Sequence, residues 1–157
     1  MTISGTFSWS DVAAPGGAAA GVIRAGVDRV ELDEIRNTLH VVGKGFLERV
    51  YTPAEISFCA GRVERLATRF AAKEAVAKML GTGFRGLGWR EIEVLSSPHG
   101  EPHFLLHHRA RDRADRLGIT SISVSLTHTA VAAEAFVVAL CLSPDAEQWI
   151  REETGHG

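Results

Sequence analysis

The amino-acid sequence predicts an α+β fold in which an antiparallel sheet is packed on one long central helix. Three observations point there. Strand and helix patterns are mixed without a regular βαβ alternation. Residues 63–80 (VERLATRFAAKEAVAKML) carry the clearest helical pattern of the chain. The last two strand patterns, 121–127 and 132–142, lie close enough together to pair antiparallel.

Element by element, the folded part is expected to begin at Gly21. Residues 22–32 (VIRAGVDRVEL) hold β-branched side chains in partial alternation, a strand that closes at Asp28 or soon after. Glu31 to Leu39 reads as a short helix, with Leu32, Ile35 and Leu39 at helical spacing. Thr52-Pro53-Ala54-Glu55 is a helix start, because Thr52 can cap, Pro53 suits the first turn and Glu55 completes a capping box. In the long helix, at about 100° per residue, Leu66, Phe70, Ala77 and Leu80 fall on one face, and Gly81 ends the element. Residues 89–95 (WREIEVL) and 102–106 (PHFLL) flank a Ser-Pro-His-Gly turn and form a hairpin. His107 to Leu117 is a helix with an arginine-rich outer side. Ser121 to Thr127 alternates cleanly, Ala132 to Leu142 is a nearly continuous apolar strand, and a short polar helix or tail follows Pro144.

Length and composition narrow the function classes. A chain of 157 residues, 45% apolar and 23% charged, suits a single globular domain, here residues 21–157 behind an Ala-, Gly- and Ser-rich flexible leader at 1–20. Seventeen basic against nineteen acidic residues give a net charge of −2, so bulk charge does not advertise a nucleic-acid or membrane partner. No apolar run approaches the roughly 18 residues of a membrane span. The first residues lack a basic segment followed by an apolar block. Cys59 and Cys141 form no metal or redox spacing and read as two reduced thiols. A cytoplasmic protein is expected.

Several residues carry chemistry, each with an ordinary alternative beside it. Asp28 places a carboxylate at the end of an apolar stretch, or caps the next helix. Glu74 and Lys78, four apart, share one side of the long helix, which also describes a surface ion pair worth a few tenths of a kcal/mol. Lys73 projects only about 20° from the middle of the apolar stripe. It either snorkels or points into a subunit interface or a polar pocket. His128, among hydroxyls at a strand end, suits phosphate binding or proton transfer as well as turn capping.

Other patterns mislead. The run Gly81 to Gly88 satisfies a GxGxxG spacing, but a helix precedes it and a strand follows, the reverse of a dinucleotide fingerprint. His99, His103 and His107 recur at every fourth residue, yet Pro98, Gly100 and Pro102 forbid a helix that would align them on zinc. Ser123 and Ser125 have no nucleophile elbow around them.

Taken in order, GVDRVEL at 26–32, RVYTPAEI at 49–56, RFAAKEAVAKMLGTG at 69–83, WREIEV at 89–94, GEPHF at 100–104 and VSLTHT at 124–129 resemble the holo-[acyl-carrier-protein] synthase family. The resemblance runs from about Gly21 to Leu142. It implies a phosphopantetheinyl transferase fold assembled as a homotrimer with sites between subunits. It also implies a reaction: coenzyme A and an apo acyl-carrier protein or carrier domain give the holo-carrier and adenosine 3′,5′-bisphosphate, with Mg²⁺ present. Position by position, Asp28 and Glu74 would be the metal ligands and Lys78 would lie near the pyrophosphate. Arg69, Gly81, His128 and Thr129 would line the coenzyme site. Glu74, directly or through a water, is the candidate base, with His128 the alternative. A non-catalytic coenzyme-A-binding module is the competing reading, and retention of both carboxylates argues against it.

One feature departs from the resemblance. Relatives often carry basic residues just after the GxD segment, where the acidic carrier docks, whereas this chain has Asp33 and Glu34. Arg29, Arg36, Lys44 and Arg49 remain nearby. An acidic patch there opposes a strongly acidic carrier and favours one with a matching basic spot.

Overall fold

A computed structural model describes residues 21–142; the leader and the segment beyond Pro144 lie outside the described residues. Strand β1 (Gly21–Glu31) is followed by helices α1 (Leu32–Val42), α2 (Lys44–Val50), α3 (Pro53–Cys59) and α4 (Val63–Met79). A 3-10 turn at Trp89–Glu91 leads into β2 (Ile92–Ser96) and β3 (Pro102–Leu106). Helix α5 (His108–Arg116) and strands β4 (Ile119–His128) and β5 (Ala132–Leu142) complete the order. The sheet runs β1-β5-β4, all antiparallel, and β2 and β3 form a separate hairpin. The expected α+β architecture is therefore present, with α4 covered by the sheet.

Local chemistry explains the boundaries. Thr52 caps α3 through the reciprocal capping box with Glu55, and Pro53 stands in the first turn. The hairpin turns on Ser97 to Gly100, where the Gly100 N–H donates to the Ser97 carbonyl at 2.9 Å and Gly100 takes φ +88°. Strand β1 runs on to Glu31, so Asp28 lies inside the strand rather than at its end. Glu31, not Asp28, occupies the N-cap of α1. Residues 89–91 form a 3-10 turn instead of the start of a strand, and helix α2 has no counterpart in the sequence reading.

The long helix is buried beyond one stripe. Ala67, Ala71, Ala72, Ala75 and Ala77 are all fully enclosed, as are Val76 and Leu80. Gly26 of β1 explains how the sheet comes so close: a Cβ there would sit 2.0 Å from the Ala75 carbonyl oxygen. Strand and helix backbones meet with no side chain between them.

Lys73 settles its open placement by pointing into a polar pocket inside the protein. Its Nζ is fully buried and pairs with Glu55 Oε2 at 2.9 Å. It also donates to the Trp89 carbonyl at 3.1 Å and to the Ile92 carbonyl. The Glu55 carboxylate in turn accepts from Thr52 N (2.8 Å) and Val94 N (2.9 Å). Farther out, the Thr52 hydroxyl donates to Glu93 at 2.6 Å, and Glu93 meets His107 Nε2 at 2.9 Å. Burial opposes the charge on Glu93, but the hydrogen bonds from Thr52 and His107, with the charges of His107 and Lys73, hold its carboxyl below the usual range.

Two outcomes follow. Gly26→Ala should destabilise the protein by about 3 kcal/mol, because the new methyl meets backbone that cannot turn aside; urea unfolding measures it, and a change within 0.5 kcal/mol, roughly the scatter of neutral surface substitutions, would contradict the close approach. Glu93→Gln should lower the thermal midpoint at neutral pH. A carboxyl with a depressed pKa stabilises the fold above its unfolded-state value and loses that contribution as pH falls through the folded-state value. The gap between variant and wild type should therefore close in acid; a gap of constant size down the pH series counts against the network.

Candidate active site

The site is built from the strand–helix approach at Gly26. Two residues farther along β1, on the same face, Asp28 comes up beside the last turns of α4. Its Oδ1 pairs with Lys78 Nζ at 2.7 Å, with the Asp28 side chain 16% exposed and that of Lys78 52%. The ammonium also donates to the Val27 carbonyl at 3.1 Å. Lys78 thus turns across to the strand, and the ion pair it makes is with Asp28 rather than with Glu74 on its own helix.

Glu74 stands one turn before Lys78, partly buried. Burial pushes its carboxyl above the usual range, the negative charge of Asp28 adds to that, Lys78 acts against it, and Glu34 of α1 raises it further. Two carboxylates and a lysine therefore share one field at the edge of α4, with Glu34 on the rim. The all-oxygen donor pair suits a hard divalent cation that keeps water and phosphate oxygens as its remaining ligands. Among the described residues no group of three or more His, Cys, Asp or Glu side chains is placed to hold a metal by itself.

Arg69 occupies a different flank. It is buried, its Nη2 donates to the Ser96 hydroxyl at 3.1 Å, and its guanidinium lies 4.1 Å from the Phe58 ring centroid. Its buried Nε has no hydrogen-bond partner among the described residues, and burial lowers its pKa. An open pocket of about 490 Å³ joins Arg69 to His128, with Arg65, Phe58 and Ser96 in its wall. A buried cation with an orphan donor beside a pocket is suited to an anionic ligand.

The structure therefore sorts the predicted residues into two groups. Asp28, Glu74 and Lys78 meet on one flank, while Arg69 and His128 line the pocket. Arg69 and Lys78 are nine positions apart, about half a revolution around the helix, so they face opposite ways. Gly81 lies just past the end of α4, where its N–H donates to the Lys78 carbonyl at 2.9 Å and φ is +78°. Thr129 closes the β4–β5 turn, its hydroxyl accepting from Val131 N and Ala132 N at 3.2 Å each. His128 is exposed, with Nδ1 3.4 Å from the Thr129 carbonyl oxygen. Residue-by-residue reasoning passed over Phe58, Arg65 and Ser96, which reach the pocket only through tertiary packing. No sequence pattern marks these three; Gly26, a glycine inside an apolar strand, signals only the strand–helix approach that brings Asp28 to α4.

Known proteins share this arrangement of chain. The profile of the 4'-phosphopantetheinyl transferase superfamily matches residues 24–141. The holo-[acyl-carrier-protein] synthase of Solibacter usitatus is 42% identical over 121 residues, covering 74% of this chain and 97% of the relative. That of Herpetosiphon aurantiacus is 45% identical over 122 residues, covering 73% and 96%. Among solved structures, the Helicobacter pylori holo-[acyl-carrier-protein] synthase in complex with coenzyme A superposes with a TM-score of 0.68 at 33% identity, over 73% of this chain and 98% of that one. The Neisseria meningitidis enzyme gives 0.67 at 36% identity, over 74% and 96%. With profile, sequence and fold in agreement over nearly all the described residues, this chain belongs to the holo-[acyl-carrier-protein] synthase family of the 4'-phosphopantetheinyl transferase superfamily and is an enzyme.

Proposed function

We propose that the chain transfers the 4'-phosphopantetheine group of coenzyme A to a serine of an apo acyl-carrier protein or carrier domain, with Asp28 and Glu74 holding Mg²⁺. The observation that carries this is the convergence of Asp28, Glu74 and Lys78 on one edge of α4. A divalent cation there would draw charge from the pyrophosphate oxygens. The carrier serine Oγ forms a bond to the phosphorus that bears the pantetheine arm. The bond from that phosphorus to the bridging oxygen breaks, and adenosine 3′,5′-bisphosphate leaves with the electron pair. Lys78 would neutralise the negative charge that grows on the departing phosphate. The serine proton passes to Glu74, directly or through a water. His128 is the second candidate acceptor, but in one protomer it lies across the helix from Glu74.

That separation favours a site shared between copies. One protomer presents Lys78 and Arg69 in opposite directions, whereas a neighbour could set its Arg69, His128 and Thr129 against the first copy's carboxylates. The outer face of the sheet offers the surface for assembly. Ile23, Val27, Phe136, Leu140 and Leu142 stand there with 38% to 61% of their area exposed, and Val27 pairs with Phe136 across the strands. We infer a homotrimer built on this face. No helix among the described residues is long and apolar enough to cross a membrane. Cys59 and Cys141 are both free and buried, and burial pushes the Cys59 thiol up to about 11, which fits an enzyme of the reducing cytoplasm.

Incubation with labelled coenzyme A, Mg²⁺ and an apo-carrier tests the reaction. Label should move to the carrier with wild type and fall at least a hundredfold with Asp28→Ala or Glu74→Ala, both folded by circular dichroism; full activity in either variant overturns the metal assignment, and binding of coenzyme A without transfer overturns the enzyme reading. Phe136→Glu with Val27→Glu should convert the assembly to monomers by light scattering and abolish transfer, whereas a variant that keeps the wild-type mass rules out this face.

A further inference from the structure

Helix α4 meets the sheet through a shallow surface. Its enclosed residues there are largely alanines (Ala67, Ala71, Ala72, Ala75), and β5 answers with Ala133, Ala135, Val137 and Ala139, also buried. Small side chains allow close approach but interdigitate little, so they resist rotation of the helix about its own axis weakly. The carboxylate of a helical glutamate lies about 6 Å from that axis, and a rotation of about 10° displaces it by about 1 Å. Displacement of that size at a reacting group lowers rates by up to about a hundredfold. Something other than the alanine contact must fix the rotation if Glu74 is to stay beside Asp28.

The buried ammonium of Lys73, the residue next to Glu74, is placed to do this. Its three partners all belong to other elements: Glu55 of α3, the Trp89 carbonyl of the 3-10 turn and the Ile92 carbonyl at the start of β2. Glu55 is itself fixed by the N–H groups of Thr52 and Val94. These are directional bonds to a rigid frame, and both charged side chains have no exposed area. A buried pair of this kind is seldom the most stable filling of its space, because apolar side chains of similar volume avoid the desolvation cost. What it supplies in exchange is geometry.

We propose that Lys73 and Glu55 are positioning residues for the transfer site, their ion pair setting the rotation of α4 and with it the place of Glu74 beside Asp28. This rests on the reading of Asp28 and Glu74 as the metal-holding pair. The outer members Thr52, Glu93 and His107 extend the frame to the surface and stiffen the start of α3 from which Glu55 projects.

The test removes both charges together, so that neither is stranded: Lys73→Met with Glu55→Gln. Helical content and assembly mass should match wild type. Turnover should fall about tenfold with the KM for coenzyme A within about threefold, and Mn²⁺ affinity, titrated by electron paramagnetic resonance on the protein alone, should weaken severalfold. A loss confined to thermal stability would not move turnover or Mn²⁺ binding well below the melting point. A folded double variant with wild-type turnover and Mn²⁺ affinity therefore overturns the proposal. Should the double variant not fold, Glu55→Gln alone, which leaves Lys73 its two carbonyl acceptors, should show the same pattern at about threefold, and wild-type values there overturn the proposal equally. Wild type that neither binds Mn²⁺ nor transfers overturns the underlying assignment of Asp28 and Glu74 instead.

Discussion

Everything in this fold that bears on chemistry depends on the contact between Gly26 and the backbone of α4. With no side chain between them, strand and helix approach until a Cβ would strike the Ala75 carbonyl. That distance brings the Asp28 carboxylate, two residues along the strand, within 2.7 Å of the Lys78 ammonium. It also accounts for the composition of the helix, since larger residues at 71, 72 and 75 would hold the sheet away. The same geometry that assembles the site thus empties the helix–sheet contact of bulky side chains. Apolar burial is taken up at the rim instead, by Leu32, Ile35, Leu66, Met79 and Leu80.

Two lysines on α4, five residues apart, show how placement decides use. Lys73 is enclosed, loses hydration and is matched by Glu55 and two carbonyls, so its charge is spent on structure. Burial lowers its proton affinity while Glu55 opposes that, and the pair holds together. Lys78 remains half exposed in its pair with Asp28. Solvent access keeps such a pair weak, so the cation stays cheap to redirect.

The sequence made the outline legible for a physical reason: alternation in 121–127, the apolar run 132–142 and the capping box at Thr52–Glu55 are local signals, and local signals survive into the structure. The candidate site was less legible from residues alone. Asp28 looked like a strand end or a cap because nothing local shows that β1 continues through it to Glu31, where the partner strand β5 is still pairing. Glu74 and Lys78 looked like an ordinary i,i+4 pair because only tertiary structure brings Asp28 across to take the lysine. The Lys73 network was invisible for the same cause. Glu55 carried a complete local explanation as a capping residue, and its second engagement, with a lysine 18 positions later, leaves no periodic trace. The motif resemblance singled out Asp28, Glu74 and Lys78, and the fold brings these three to one edge of α4.

The register of the sheet has a consequence for how the enzyme is made. Every residue of β1 pairs with β5, more than a hundred positions later, and β5 also carries β4 on its other side. On the ribosome, the first strand can pack on α4, but its hydrogen-bonding edge must wait for the last strand. Until then an apolar, unpaired strand edge is open to solvent and to other nascent chains. The strand that carries Asp28 thus gains its sheet among the last events of folding, and an incompletely synthesised chain holds Asp28 on a strand whose pairing edge is still empty.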